Sequence, residues 1–222
     1  MKQKTNLKKL VAVALFSALA YAVMLVVHFP VSFLTLDLKD TVIALCGLYF
    51  GPLAALFAAV FVPFLEMITV SSTGIYGFLM NMIGSATFSV TVSVIYKYKK
   101  SLLGAVVGLI SGVFALTAVM MLFNLVVTPL YMGVSVEAVK QLIPALLLPF
   151  NLVKATLNAA LVMLLYKPVS LLLQRTGFIR KSSQSYRMDL KTILVLALSL
   201  AVVIGSLIVI VSVLGGRIRL GM

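Results

Sequence analysis

The sequence predicts an all-α, polytopic membrane protein: a bundle of six helices with one additional transmembrane helix at its C-terminal end. Of its 222 residues, 63% are hydrophobic and only 10% are charged, whereas soluble domains are about 45–50% apolar and about 25% charged. The apolar residues form long runs, and a membrane-spanning helix needs roughly 20 of them. A transmembrane barrel would instead show alternating stretches of about ten residues. The composition excludes an ordinary soluble enzyme and a disordered chain.

Seven apolar segments account for these helices. They cover about residues 8–28, 40–50, 52–70, 74–97, 101–127, 144–173 and 192–214. The second segment is too short to cross a hydrocarbon core of roughly 30 Å directly, and Phe50-Gly51-Pro52 is a turn signal. We therefore expect a short, bent span that is joined tightly to the third segment.

Proline marks the limits of the later segments. Thr128-Pro129 should stop the fifth helix, and residues 130–143 should form a loop or a short surface helix. Pro144 and Pro149 should open or kink the sixth helix. No internal repeat is visible, which weighs against a transporter built from inverted repeats.

Lysine and arginine residues set the expected orientation. The net charge is +13, and thirteen of the eighteen basic residues lie on the side of the N-terminus. Positive residues concentrate on the cytoplasmic side of membrane proteins. We therefore expect a multi-pass protein of a bacterial cell membrane with a cytoplasmic N-terminus. Because the basic residues form short clusters between apolar runs, nucleic acid is not an expected partner.

The chain accordingly divides into three regions. Residues 1–174 should form a six-helix membrane domain, 175–191 a basic cytoplasmic linker, and 192–214 an added transmembrane helix with no evident chemistry. No small-residue cleavage site follows the first segment, so it is interpreted as a retained helix. A single cysteine and a single histidine offer no intramolecular disulfide and no zinc site.

The costly polar residues of the spans share one side of the membrane. Ten Asn, Asp, Glu, His and Lys residues lie in or beside the outer halves of the first six segments, whereas the inner halves contain only Ser, Thr and Tyr as polar types. These ten are His28, Asp37, Lys39, Asp40, Glu66, Asn81, Asn124, Asn151, Lys154 and Asn158. Each is expensive to place in lipid. Their distribution predicts an outward-facing polar pocket rather than a relay through the bilayer.

Asn151, Lys154 and Asn158 are spaced so that they share one helix face, which must point into the bundle. The amides could instead hold helices together, and Lys154 could pair with Glu66 or Asp40. No acidic partner is obvious at that depth, so Lys154→Met is expected to fold at least as well as the wild type. Asp37 and Asp40 could also serve as a helix N-cap.

A stripe of small residues, Ala14, Ala18 and Ala22, runs along the first helix at four-residue spacing. Such a stripe permits close approach of another helix. That helix could belong to this chain or to a partner.

Several motifs occur in a familiar order. Asp40 precedes Gly47 and Phe50-Gly51-Pro52-Leu53-Ala54, followed by Thr73-Gly74-x-x-Gly77-x-x-Met80-Asn81. Asn124 then precedes Thr128-Pro129-Leu130-Tyr131, and Pro149-Phe150-Asn151-Leu152-x-Lys154 completes the series. Over about residues 8–173 this pattern resembles the substrate-binding S components of energy-coupling-factor (ECF) vitamin transporters, and most closely the riboflavin-binding type.

The resemblance implies six helices with a vitamin bound near the outer face, under the first outer loop. It implies partners: a transmembrane T subunit and two ATP-binding subunits, which dock on an Ala-x-x-x-Ala motif that maps to Ala14 and Ala18. It also implies substrate-binding positions at Leu36, Asp40, Asn81, Asn124, Asn151 and Lys154. No catalytic residue, metal or cofactor is implied; riboflavin would be the transported ligand.

The residue chemistry is compatible with a flavin. Its ring needs a flat apolar slot with a few directed hydrogen bonds, which asparagine can donate and accept and lysine can donate. The additional helix and the loop between the fifth and sixth segments depart from the family pattern, so a related flavin or another vitamin stays open.

Two other classes compete with this interpretation. A self-sufficient secondary transporter would need an acidic site near the midplane, and Glu66, the candidate, lies too far out. An intramembrane enzyme would need a catalytic motif such as His-Glu-x-x-His or Gly-x-Ser-x-Gly, and the sequence has neither. It also lacks a phosphate-binding Gly-x-x-x-x-Gly-Lys motif, so energy for transport must come from a partner.

Overall fold

A computed structural model describes residues 2–180, 190–216 and 219–220, and it confirms the predicted helical membrane architecture. The helices are α1 (Lys2–Val26), α2 (Lys39–Phe50), α3 (Pro52–Thr69), α4 (Gly74–Tyr98), α5 (Leu102–Met132), α6 (Val136–Leu142), α7 (Leu148–Arg175) and α8 (Leu190–Ser212). Within the described residues, six helical stretches are long and apolar enough to cross a membrane. The short α2 is not among them, and it is buried along almost its whole length.

The first helix ends earlier than predicted, because the chain becomes extended at Val27. Strands β1 (Val27–Val31) and β2 (Leu34–Asp37) form an antiparallel hairpin between α1 and α2. The expected helix to residue 28 was therefore wrong, and Pro30 inside β1 explains the change, since proline cannot continue a helix. We refer to the side of the bundle that carries this hairpin as the hairpin end.

The tight connection between the second and third helices is confirmed. Gly51 separates α2 from α3 with a φ of +94°, a conformation that glycine adopts without a steric penalty. Pro52 then occupies the first turn of α3, where its missing N–H is harmless. The chain thus reverses direction at Gly51: α2 runs from the hairpin end into the bundle, and α3 returns towards the hairpin end, where Glu66 pairs with Lys39.

The fifth helix passes through the proline that was expected to stop it. α5 continues beyond Pro129 to Met132 and ends at Gly133, which has a φ of +65°. The hydroxyl of Thr128 donates to Asn124 within the same helix. The predicted surface helix is confirmed as α6, and a single π-helical turn, Ile143–Leu147, joins it to α7.

The C-terminal part of the chain returns to the hairpin end. α8 packs along α7, and a short strand β3 (Arg219–Leu220) pairs with β1 to give a sheet of order β2-β1-β3. The structure describes the predicted linker, 175–191, only at its two ends, so that division of the chain stays a prediction. The main apolar core lies away from the hairpin end, between α1, α2, α3, α4, α5 and α7.

Candidate functional site

A cavity of about 440 Å³ opens at the hairpin end, between the hairpin, α3, α4, α5 and α7. Eight of the ten polar residues that sequence analysis placed on one side line it. They are His28, Asp37, Asp40, Glu66, Asn81, Asn124, Asn151 and Lys154. The other two, Lys39 and Asn158, are fully buried directly behind the cavity wall. All ten therefore belong to one local region of the structure.

Five of the ten side chains form a cluster of charges, which we call the charge cluster: Asp37, Lys39, Asp40 and Lys154 are buried and Glu66 is half-buried. The Asp37 carboxylate is 2.7 Å from the Lys39 ammonium and 3.2 Å from that of Lys154. Lys39 also lies 3.1 Å from Glu66. With three acids and two lysines, the cluster has a formal charge of −1.

Asp37 is the centre of the charge cluster. Burial alone would raise the pKa of its carboxyl group, but the neighbouring ammonium groups of Lys154 and Lys39 hold that pKa well below its usual range. The carboxylate is therefore ionised at neutral pH and accepts from both lysines. It joins the hairpin to the start of α2 and to the second turn of α7.

The expectation that Lys154 has no obvious acidic partner was wrong. Its ammonium donates to Asp37 and lies 3.9 Å from Asp40. Of the two partners considered from the sequence, Asp40 is close, whereas Glu66 pairs instead with Lys39 and Asn81. Asp37 was overlooked because the hairpin that turns it towards α7 was not predicted.

The N-cap hypothesis for the two aspartates holds only in part. The residue at the N-cap of α2 is Leu38, and no side chain caps it. Asp37 does accept the backbone N–H of Lys39 at 3.1 Å. Asp40 lies in the first turn of the helix and accepts from the hydroxyl of Ser85 on α4, so its principal contact is between helices.

Asn158 fixes α7 to the start of α2. Its side-chain oxygen accepts from the backbone N–H of Thr41 at 2.8 Å and from the Thr41 hydroxyl at 2.7 Å. Its amide group donates to the backbone carbonyls of Asp37 and Lys154. Every hydrogen-bonding position of this fully buried amide is thereby used. Asn158 positions the segment that carries the charge cluster and does not line the cavity.

The three other asparagines line the cavity with hydrogen-bonding capacity to spare. Asn151 donates to the carbonyl of Leu147, and within the described residues no protein donor reaches its side-chain oxygen. Asn124 donates to Met120 and accepts from Thr128, which leaves one amide proton. Asn81 donates to both oxygens of Glu66 and keeps its own oxygen. Together these side chains can both donate to and accept from a ligand.

The remaining predicted substrate position, Leu36, does not line the cavity. Its side chain is fully buried on the opposite face of the hairpin, against Phe29 and Phe150. The aromatic side chains that line the wall were not predicted from the sequence. These are Phe33 from the hairpin, Tyr76 from α4, Tyr131 from α5 and Phe150 from α7. They offer flat apolar surface for a ring, with the amides and the charge cluster beside them.

The alanines of the predicted docking stripe face outwards. Ala14, Ala18 and Ala22 are exposed, whereas Phe16 and Ala20 on the other face of α1 are buried. The contacts of α1 with α2 and α3 are therefore made by a different face. In the described part of the chain the stripe is not internal packing.

Three comparisons with known proteins agree with one another. Residues 8–166 match the family model of the ECF transporter substrate-specific component. The riboflavin transporter RibU of Staphylococcus aureus (strain TCH60) is 29% identical over 187 residues, which cover 78% of this chain and 98% of that protein. The riboflavin transporter FmnP of Bacillus subtilis (strain 168) is 30% identical over 179 residues, covering 73% and 94%.

The solved structure of the S component of a bacterial ECF transporter has the same fold. It matches with a TM-score of 0.66 at 29% identity, over 77% of this chain and 99% of the solved chain. The family model, the relatives and the fold identify a transporter subunit and not an enzyme. The chain is thus a multi-pass membrane protein that belongs to the substrate-specific components of ECF transporters.

Proposed function

We propose that this chain captures riboflavin, or a closely related flavin, at the outer face of the membrane and delivers it through an ATP-driven partner complex. The observation that carries the proposal is the cavity at the hairpin end, where four aromatic side chains and three asparagines with free hydrogen-bonding positions meet. Its volume of about 440 Å³ lies within the roughly 300–1,000 Å³ typical of small-molecule sites. Two relatives are named riboflavin transporters.

The lining suits a flavin in chemical terms. A tricyclic ring needs flat apolar walls, which Phe33, Tyr76 and Phe150 supply. The polar edge of the ring and the hydroxylated chain need both donors and acceptors, and Asn124 and Asn151 provide them. Lys154 adds a charged donor, since one Lys ammonium has three protons and Asp37 accepts from it once.

The partners are inferred from the family and from the exposed alanine stripe. A transmembrane T subunit and two ATP-binding subunits would supply the energy for transport, since the sequence of this chain lacks an ATP-binding motif. Ala14 and Ala18 are small and exposed on α1, so a partner helix can approach the backbone closely there. The distribution of basic residues supports a cytoplasmic N-terminus and, with it, a hairpin end on the outer side of the membrane.

Purification from cells tests the ligand directly. A co-purified flavin would make the protein yellow, and riboflavin added to the ligand-free protein should lose fluorescence on binding. Asn151→Leu should weaken binding about tenfold, which corresponds to about 1.4 kcal/mol. Gln141→Leu changes an exposed amide on α6 outside the cavity and is the matched control. If the wild-type protein leaves riboflavin fluorescence unchanged but binds a fluorescent probe of another vitamin, that vitamin and not riboflavin is the substrate.

Uptake into proteoliposomes separates the proposal from a self-sufficient secondary transporter. We expect riboflavin uptake only when the T subunit, the ATP-binding subunits and ATP are present. Accumulation driven by an ion gradient in vesicles that contain this chain alone would contradict the proposed dependence on partners.

A further inference from the structure

We propose that α8 and β3 form a brace that holds the β1–β2 hairpin against the bundle and thereby sets the rate at which ligand enters and leaves the cavity. α8 lies beyond residues 8–166, which match the family model. The brace itself follows from the packing of this chain, whereas its effect on flavin exchange rests on the proposed function.

The hairpin has two different faces. His28 and Pro30 of β1 line the cavity, whereas the alternate residues Phe29 and Val31 are buried on the other side. Successive side chains of a strand point to opposite faces, so this thin ribbon is the wall between the cavity and an apolar cluster. Six hairpin residues line the cavity in total: His28, Pro30, Phe33, Leu34, Thr35 and Asp37. Outward movement of the hairpin would therefore open the cavity.

α8 supplies the other half of that apolar cluster. Ile210 is fully buried against the cluster formed by Phe29, Val31 and Leu36 of the hairpin and by Phe150 and Leu157 of α7. Val203 and Leu207 pack around it from the same face of α8, and Leu214 packs there from just beyond the end of the helix. The opposite face of α8 is open, and Ile208, for example, is 59% exposed.

The chain after α8 is fitted closely to β1. Gly215 turns the chain with a φ of +64°, and Gly216 is buried. A Cβ atom at Gly216 would lie 3.0 Å from Cγ2 of Val31 and 2.7 Å from Cγ2 of Ile210. β3 then pairs antiparallel with β1, with Leu220 opposite Val27. An isolated two-stranded hairpin is marginally stable in water, and the third strand makes β1 the central strand of a sheet.

Hydrogen–deuterium exchange of the ligand-free full-length protein tests the brace without reference to any ligand. Ile210→Ala removes the side chain that fills the centre of the cluster, and Ile208→Ala is the matched control on the exposed face of the same helix. We expect the amides of residues 27–37 to exchange at least about threefold faster in Ile210→Ala, because local opening becomes easier, and to be unchanged in Ile208→Ala. Equal protection of the hairpin in both variants would overturn the brace.

The same two variants test the effect of the brace on the site. Riboflavin dissociation, followed by recovery of its fluorescence, should be at least about threefold faster from Ile210→Ala than from Ile208→Ala, because local opening of the hairpin becomes easier. The rate from Ile208→Ala should equal that from the wild-type protein.

The outcomes separate the two proposals. Identical riboflavin dissociation rates in Ile210→Ala and Ile208→Ala, with faster exchange of the hairpin amides in Ile210→Ala, would overturn the control of ligand exchange by the brace. If no variant and no wild-type protein binds riboflavin while the hairpin amides still respond to Ile210→Ala, the proposed substrate is wrong and the brace stands.

Discussion

Replacement of Lys154 by methionine is the most direct test of the charge cluster. The substitution removes an ammonium group that lies 3.2 Å from Asp37 and 3.9 Å from Asp40, and it changes the formal charge of the cluster from −1 to −2. Removing one partner of a buried ion pair costs about 3–5 kcal/mol. Because Lys39 remains 2.7 Å from Asp37, we expect a loss near the lower limit, about 3 kcal/mol.

Thermal unfolding in detergent measures this loss. At about 2–4 °C per kcal/mol for a chain of this size, the midpoint should fall by roughly 6–12 °C. Lys140→Met is the control, since Lys140 and Glu137 form an ion pair at 2.9 Å with both side chains exposed. An exposed pair contributes at most about 1 kcal/mol. Adding Asp40→Asn to Lys154→Met returns the charge to −1 and should recover most of the lost stability.

The refuting result is a Lys154→Met protein that unfolds at or above the wild-type temperature. That result would mean that relief of the buried charge outweighs the broken pairs, as the sequence alone had suggested. The riboflavin affinity should fall at least about tenfold in the folded protein, since a hydrogen bond to a charged group contributes about 1.5–3 kcal/mol. Unchanged affinity would remove Lys154 from the ligand site and leave it a role in structure.

Three further predictions follow from other parts of the molecule. Ala14→Leu should keep riboflavin binding and abolish uptake in the co-expressed complex, because the alanine is exposed on α1; a parallel loss of both would place it in the bundle instead. Asn158→Leu should lower the free energy of unfolding by about 2 kcal/mol, because Thr41 loses both of its hydrogen bonds to the amide oxygen and the Asp37 carbonyl loses its bond to the amide group; an unchanged value would show that water replaces the amide. After Cys46→Ala, a cysteine at Ser135 should react with an impermeant reagent on intact cells and one at Lys99 should not; the reverse pattern would invert the topology. The related prediction for the linker at Ser183 concerns a position outside the described residues.

The membrane spans and the one-sided polar site could be predicted because both depend on local composition. An apolar run of about 20 residues by itself indicates a membrane-spanning helix, and the high cost of polar groups in lipid restricts where such groups can lie. The grouping of Asn81, Asn124 and Lys154 followed from their common depth alone. The family motifs added the order in which these residues occur.

The ion pairs within the site could not be predicted, because they join residues that are far apart in the sequence. They depend on the β1–β2 hairpin, which the sequence pattern indicates only weakly. Asp37 and Lys154 are 117 positions apart, and only the turn of β2 brings the carboxylate to α7. Leu36, one residue earlier, consequently points to the opposite face and away from the cavity. The predicted end of the fifth helix at Pro129 was also wrong, because α5 tolerates a proline within the packed bundle.

The opposite end of the bundle explains why capture needs a partner for delivery. Below the cavity, the hydroxyl group of Tyr49 donates to the backbone carbonyl of Tyr166, and the hydroxyl groups of Tyr96 and Tyr166 are hydrogen-bonded to each other. Ser93 and Thr117 donate back to carbonyls of their own helices. Each of these hydroxyl groups has a partner within the protein, and the described residues around them form an apolar core. Within the described residues, this core therefore separates the cavity from the opposite end of the bundle. The isolated subunit should bind and release flavin from the hairpin end alone, and release on the other side requires work that the ATP-driven partners supply.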